Sequence, residues 1–358
     1  MQSKFYQVSS VAFLISAVFM GQLKANDSSD VETITIHGNP VIASGYDALA
    51  GAIQQHNFDT SLFPSQTITD ALILYPGVET SGQGGWFQTF SIRGTSGARV
   101  TTFLSGIPII TERRAGTSVH FVDPALLSTA TVLSGPATSI YGNGAVGGVV
   151  QLNPIGFESS KMGYSYSDNG DANNLYAVLG GKDYVIGLAY AKQENSEAAD
   201  GSELNEHGER WSALYRQKMD FSFGSFELLT MPSYLNDVGR ANADFYLNRI
   251  TETPEEQHLP IRLSYTDNKD WQGAIWMHDS NMLTTTTRIG RDINEVDNAA
   301  LDYGVNIHRL INIDDWKSRA GVELSARRDV SADETLTRLS DGRVTERSAL
   351  ANGSERIL

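Results

Sequence analysis

Between residues 184 and 324 the chain repeatedly alternates apolar and polar side chains, and a period of two leaves room only for strands with two unlike faces. Tyr184, Ile186, Leu188 and Tyr190 share one face, against Val185, Gly187, Ala189 and Ala191 on the other. Ile261, Leu263 and Tyr265 oppose Arg262, Ser264 and Thr266 in the same way, and Leu301, Tyr303, Val305 and Ile307 oppose Asp302, Gly304, Asn306 and His308. Trp316, Ala320, Val322 and Leu324 oppose Lys317, Arg319, Glu323 and Arg327. A sandwich in water alternates too, but has less reason to turn Lys, Arg and Glu inward. A transmembrane barrel has that reason, because one face meets lipid and the other a wet lumen. With a mean hydropathy of -0.24 and no apolar run of about 18 residues beyond the N-terminal segment, helical spans are excluded and a barrel is not.

The connections support the barrel independently. Short turns at 180–183, 223–225, 267–270 and 312–315 alternate with long polar segments at 194–209, 236–258 and 280–298. If the chain enters its first strand from the periplasm after Pro154, parity places every long segment outside the cell. Strands of about ten residues then give about nine strands and the start of a tenth over residues 155–358.

The N-terminus reads as an export signal. Lys4 precedes an apolar run over residues 11–20, and Leu23, Lys24 and Ala25 form an imperfect cleavage site, so residues 1–25 are expected to be removed as a signal peptide. In the linker at 26–40, Glu32, Thr33, Ile34, Thr35 and Ile36 alternate with high strand propensity before a Gly/Pro break. They form either a free strand that adds to a partner's sheet or the first strand of the next unit.

Residues 41–154 read as a compact α+β unit of short elements. A helix is predicted over 69–75, capped near Thr67 or Thr69 and stopped by Pro76 and Gly77, with strands around 78, 90–94, 100–104, 130–133 and 149–152. The glycines at 142, 144 and 147 spell GxGxxG, but a short helix or turn precedes them and a strand follows, the reverse of what a dinucleotide site needs.

Composition removes further classes. With 42 acidic against 27 basic residues and a net charge of -15, no basic face is available for a nucleic acid. There is no cysteine, the seven histidines lack zinc spacing, and no Ser/His/Asp set can be placed, so neither catalytic nor metal residues nor a cofactor are expected and a secreted enzyme has no support.

Taken in order, several segments resemble the TonB-dependent outer-membrane receptors. Residues 32–36 look like a TonB box. Pro76 and Gly77, Arg93 and Gly94, Gly135 and Pro136, Tyr141 and Gly142, and Gly147 and Gly148 lie in segments similar to the plug-domain motifs of that family. Two positions depart from the pattern: Ser105 stands where the family usually has Asp, and Ser134 where it has a basic residue. The resemblance implies an α+β plug domain (41–154) followed by antiparallel transmembrane β-barrel strands (155–358), placed in the Gram-negative outer membrane against its lipid. It implies uptake of a scarce ligand, driven by a TonB-type periplasmic coupling protein. By the same resemblance the outward apices of the plug are the loop carrying Gln83, Trp86 and Phe87 and the loop carrying Arg113 and Arg114. Aromatic faces beside paired guanidinium groups suit a bulky anionic chelate, so a ferric siderophore is the first ligand expected, ahead of haem or cobalamin. The bland alternative is that these residues seat the plug against the barrel wall.

A family member needs roughly twice the strands counted here, and the chain stops without a terminal aromatic residue. The count therefore predicts an incomplete barrel, a fragment or interrupted reading frame that forms no transporting pore by itself. A non-transporting fragment that binds the coupling protein or the ligand is the corresponding alternative function.

The box makes a direct test. Replacing Ile34 with Pro removes a main-chain donor and imposes its own φ, so strand addition to the coupling protein is abolished. Co-purification of the variant with the periplasmic coupling protein should fail, and undiminished capture would refute the assignment.

Overall fold

Short apolar strands broken by glycine turns build one sheet, and long amphipathic strands build a second that wraps it. The computed structural model describes residues 53–58, 66–82, 84–110, 119–142, 144–241, 248–267, 270–313 and 316–357. In the first part β1 (Ile53–Asn57), α1 (Ile68–Leu72), β2 (Val78–Ser81), β3 (Thr89–Ile92), β4 (Val100–Leu104), β5 (Ile107–Ile109), β6 (Leu127–Ser134), α2 (Thr138–Tyr141) and β7 (Gly148–Pro154) follow one another. Five of the strands form a sheet in the order β1-β6-β7-β4-β5, with β4 parallel to β7 and the remaining pairs antiparallel, while β2 and β3 make a separate hairpin. β6 and β7 are covered on both faces, as their near-continuous apolar sequences require.

The helix forms where a capping box was available. The Asp70 amide donates to Thr67 Oγ1 (3.1 Å) and the Thr67 amide to the Asp70 carboxylate (2.9 Å), satisfying two otherwise orphaned N–H groups. It ends at Leu72 rather than at the expected Tyr75: Ile73 stays in the helical region and donates to the Thr69 carbonyl, and the Tyr75 amide then donates to the Leu72 carbonyl (3.1 Å) in a tighter turn before Pro76.

The second sheet comprises β8 (Lys161–Ser167), β9 (Ala172–Gly180), β10 (Tyr184–Gln193), β13 (Gly208–Phe221), β14 (Gly224–Thr230), β15 (Ser233–Gly239), β16 (Arg249–Asp267), β17 (Trp271–Arg288), β18 (Asp292–Ile313), β19 (Trp316–Arg338) and β20 (Val344–Ile357), with β11 (Ser196–Glu197) and β12 (Glu203–Leu204) as a small hairpin between β10 and β13. It is an antiparallel meander, open between β8 and β20 among the described residues. Its eleven strands occupy ten places, because β14 and β15 both lie between β13 and β16 and are the two halves of one strand broken at Pro232.

The predicted faces are the observed ones. Along β10 the outward set is Tyr184, Ile186, Leu188 and Tyr190, while Val185, Gly187, Ala189 and Ala191 are buried against the first sheet. A Cβ on Gly187 would lie 3.0 Å from Leu126 Cδ2, so the small inward residues are the room that Leu126 occupies. Two aromatic groups mark the outer face of β13. Trp211 packs on Tyr190 (4.4 Å), and Phe221 belongs to a cluster with Phe223, Phe226 and Tyr265. The ten residue-to-residue steps from Trp211 to Phe221 span about 34 Å of strand, or about 24 Å of membrane at a 45° tilt, which matches the apolar band of an outer-membrane barrel.

Strand lengths correct the sequence reading. β16 to β19 run for 19, 18, 22 and 23 residues rather than about ten. Much of what reads as loop at 236–258 and 280–298 is strand, with 289–291 left as a connection and 242–247 outside the described residues. Beyond the membrane both faces of a strand meet water, so apolar alternation stops while backbone pairing continues, as from Thr284↔Val296 to Thr287↔Ile293.

In the first sheet His56 is buried between the rings of Phe58 (4.7 Å) and Tyr75 (5.9 Å), and burial lowers its pKa from the usual 6.5. The folded state therefore favours neutral imidazole. Its contribution to stability is present above pH 6.5 and is lost as the pH falls through the depressed folded value. Protection factors in β1 and β6, corrected for the intrinsic pH dependence of amide exchange, are expected to fall on acidification across this window, and His56→Phe should flatten that dependence.

Candidate functional site

The motif residues of residues 76–148 converge on one node. The Arg93 amide donates to the Gly77 carbonyl (2.7 Å), which ties the Pro76–Gly77 turn to the Arg93–Gly94 turn. The Gly135 amide donates to the Gly147 carbonyl (3.0 Å), and the Gly147 amide to the Arg99 carbonyl (2.8 Å). Between the two halves stands Thr95, whose side chain fills the space where a Cβ on Gly147 would fall, at 2.4 Å. Tyr141 lies against Phe103 (5.6 Å), and its hydroxyl accepts from Gln151 Nε2 (3.3 Å). The GxGxxG string is thus a close-packing device between α2 and β7, and no helix N-terminus opens at it.

This unit is seated on the strand wall by buried polar contacts. Arg210 on β13, fully buried, donates from Nη1 to the His120 carbonyl (2.7 Å) and from Nη2 to Asp123 Oδ2 (2.8 Å). Asn174 of β9 donates to the same carboxylate (3.3 Å), which also accepts the Ala125 amide (2.8 Å). Lower on β13, Arg216 binds Glu227 (2.7 Å) and donates to the Ile155 carbonyl (2.7 Å). On β19, Arg327 binds Asp302 (2.6 Å) and donates to the Ile110 carbonyl (3.2 Å).

Above the seat runs a chain of imidazoles. His120 Nε2 and His258 Nε2 each lie 2.8 Å from one oxygen of Glu256, and His258 Nδ1 lies 3.0 Å from His278 Nε2. With an ionised Glu256 the two Nε2–H groups donate to it, and His278 Nε2–H then donates to His258 Nδ1. Phe121 stacks on His258 at 3.9 Å, and a cleft bordered by Ile110, Glu256, His258, Ser280 and Met282 opens beside the chain. Among the described residues no group of His, Asp and Glu has the geometry of a metal site.

The predicted ligand residues fall differently. Gln83, Arg113 and Arg114 lie outside the described residues, as do the signal peptide and Glu32, Thr33, Ile34, Thr35 and Ile36. Trp86 and Phe87 are not exposed beside their glycines but only 3% and 5% accessible. Trp86 Nε1 donates to Gln193 Oε1 (3.1 Å) beneath the Arg210 guanidinium, and Phe87 lies between His120 (4.2 Å) and Arg240 (4.2 Å). Both therefore seat the inner unit against the wall, the bland alternative of the sequence reading. Glu256 is hidden because 236–258 reads as loop, and Arg210 because it directly follows the polar segment 194–209. The period-two rule would have found Arg210, since it alternates with outward Trp211.

Residues 52–149 match the TonB-dependent receptor plug domain. The chain is 24% identical over 286 residues to the vitamin B12 transporter BtuB of Vibrio vulnificus, covering 70% of this chain and 45% of that protein. It is 25% identical over 324 residues to the hemin receptor of Yersinia pestis, covering 88% and 44%. The chain thus spans about half the length of the curated relatives it matches. Of solved structures, the copper transporter OprC shares the fold with a TM-score of 0.68 at 15% identity, over 83% of this chain and 50% of that one.

Removing one member of a fully buried pair strands its partner's charge. Arg210→Ala is therefore expected to cost about 3–5 kcal/mol, whereas Arg210→Met combined with Asp123→Leu costs less than the sum of the single changes. Urea unfolding in detergent, followed by tryptophan fluorescence, measures this cycle.

Proposed function

We propose that the chain, which belongs to the TonB-dependent receptors of the Gram-negative outer membrane, serves the energy-coupled uptake of a scarce chelate, a ferric siderophore ahead of haem or cobalamin. The observation that carries the reading is a plug seated in the strand wall by directional buried polar contacts, chiefly those of Arg210, beside an apolar contact in which Leu126 meets Val185 and Leu214. Such polar contacts hold firmly at rest and are lost together when one is displaced, which suits a plug that must shift under a pull from the periplasm. In this reading Glu32, Thr33, Ile34, Thr35 and Ile36 receive that pull from the TonB-type coupling protein. Gln83, Arg113 and Arg114 meet the ligand from outside, while Trp86 and Phe87 support that face from below. Met162, Tyr164, Leu188 and Trp211, exposed on the outer face, contact outer-membrane lipid.

The first choice of ligand rests on the paired Arg113 and Arg114, which suit an anionic chelate. The test is uptake in an outer-membrane host lacking its own receptors for iron chelates, haem and cobalamin. Labelled ferric siderophores, haemin and cyanocobalamin are supplied singly, with and without an energised inner membrane. Energy-dependent accumulation of a ferric siderophore is the expected result. Accumulation of haemin or cyanocobalamin alone would reassign the ligand, and accumulation of none would replace the transport reading with that of a non-transporting fragment that binds the coupling protein or the ligand.

A further inference from the structure

The cations that face the plug from the wall mostly have protein partners: Arg210 has Asp123, Arg216 has Glu227, and Arg327 has Asp302. Arg262 differs. It sits on the inward face of β16, paired in register with Leu229 of β14 on one side and Trp276 of β17 on the other. Leu229 and Trp276 pack with Ile107 of the plug in a buried apolar cluster, so the guanidinium issues from the middle of a dry patch. Its Nε is sealed from solvent without a hydrogen-bond partner. The nearest plug backbone is Gly106, whose Cβ position would lie 3.5, 3.6 and 3.7 Å from Arg262 Cζ, Nε and Nη2. Three nearly equal distances mean that the guanidinium lies flat beneath that turn, with its donors aimed sideways into the lumen wall rather than at the plug.

The charges around it share its sign. His308 of β18 lies within electrostatic reach of Arg262 and of Arg319 on β19, and Arg216 of β13 lies within reach of Arg262. Among the described residues the carboxylate that acts on Arg262 is Glu227, whose Oε1 accepts from Nε and Nη2 of Arg216 (3.0 and 2.7 Å) and which makes no hydrogen bond to Arg262. A guanidinium with a sealed Nε and no carboxylate hydrogen-bonded to it is matched by an oxyanion, which accepts in its plane and neutralises it.

We propose that Arg262, set between Leu229 and Trp276 and roofed by the Ser105–Gly106 turn, is an oxyanion site for a carboxylate or phosphate group on the lumen wall. It lies five residues from the periplasmic end of β16, on the far side of the plug turn from the Glu256 cleft. An anionic group that passes the plug meets it last. The site is defined by the charges of the wall and holds whichever solute the receptor carries.

The roof provides the sharpest test. Ser105 has φ 49°, a left-handed conformation that Asp tolerates, so Ser105→Asp places a carboxylate beside the guanidinium and fills the site from within. Binding of labelled inorganic phosphate and of labelled acetate to the full chain in detergent is measured by equilibrium dialysis. Wild type is expected to bind both saturably, Arg262→Gln and Ser105→Asp at least about tenfold more weakly, and Arg319→Gln about threefold more weakly. Ser105→Asp should also raise the thermal midpoint without added anion. If Arg262→Gln does not give a folded, heat-modifiable species, Ser105→Asp decides alone. Wild-type affinity in either folded variant, or no saturable binding of either anion by wild type, overturns the site.

Discussion

The Arg210 guanidinium is the joint on which the arrangement of plug and wall depends. An ion removed from water is tolerated only where directional bonds replace its hydration, and Arg210 finds them in the Asp123 carboxylate and the His120 carbonyl. Asp123 in turn caps the turn Pro124–Leu126, and that turn sets Leu126 into the recess left by Gly187. His120, whose backbone is held by Arg210, carries the imidazole that reaches Glu256 on the next part of the wall. One charged group thus fixes the height of the plug, the fit of its apolar flank and the start of the histidine chain.

Much of this was legible in the sequence because it follows from period and punctuation. The alternation along β10 separates its two faces, and the capping residues around Thr67 place α1 to within a few residues. What failed was the inference from polarity to loop. Thr284, Thr285, Thr286 and Thr287 are β-branched and belong in a strand by propensity, yet without an apolar face they carry no amphipathic signal. Trp86 failed for the opposite reason. Flanking glycines suggest an exposed apex, but here they allow a close approach: Gly85 lies against Glu206 and the Trp86 ring against Gly208, on the wall side. Only the fold brings residues this distant in sequence together.

The plug motifs illustrate the difference between a signature and its cause. As a string, the glycines between 142 and 148 fit more than one family. In the structure their meaning is steric, since Thr95 occupies the volume that any side chain at Gly147 would need, and Leu133 and Ile92 crowd Gly148 in the same way. The two halves of the plug interlock there without charge, which leaves its charged contacts to face the wall.

The length of the strands has a consequence beyond topology. β18, with 22 residues, rises about 50 Å at a 45° tilt, against about 30 Å of hydrocarbon. Its upper part and those of its neighbours stand in water as a palisade stiffened by cross-strand bonds and indifferent to side-chain polarity. In such a collar the sequence is free to drift while the shape is not. The surface presented to the outside can change its chemistry from one variant to the next without disturbing the seat of the plug far below.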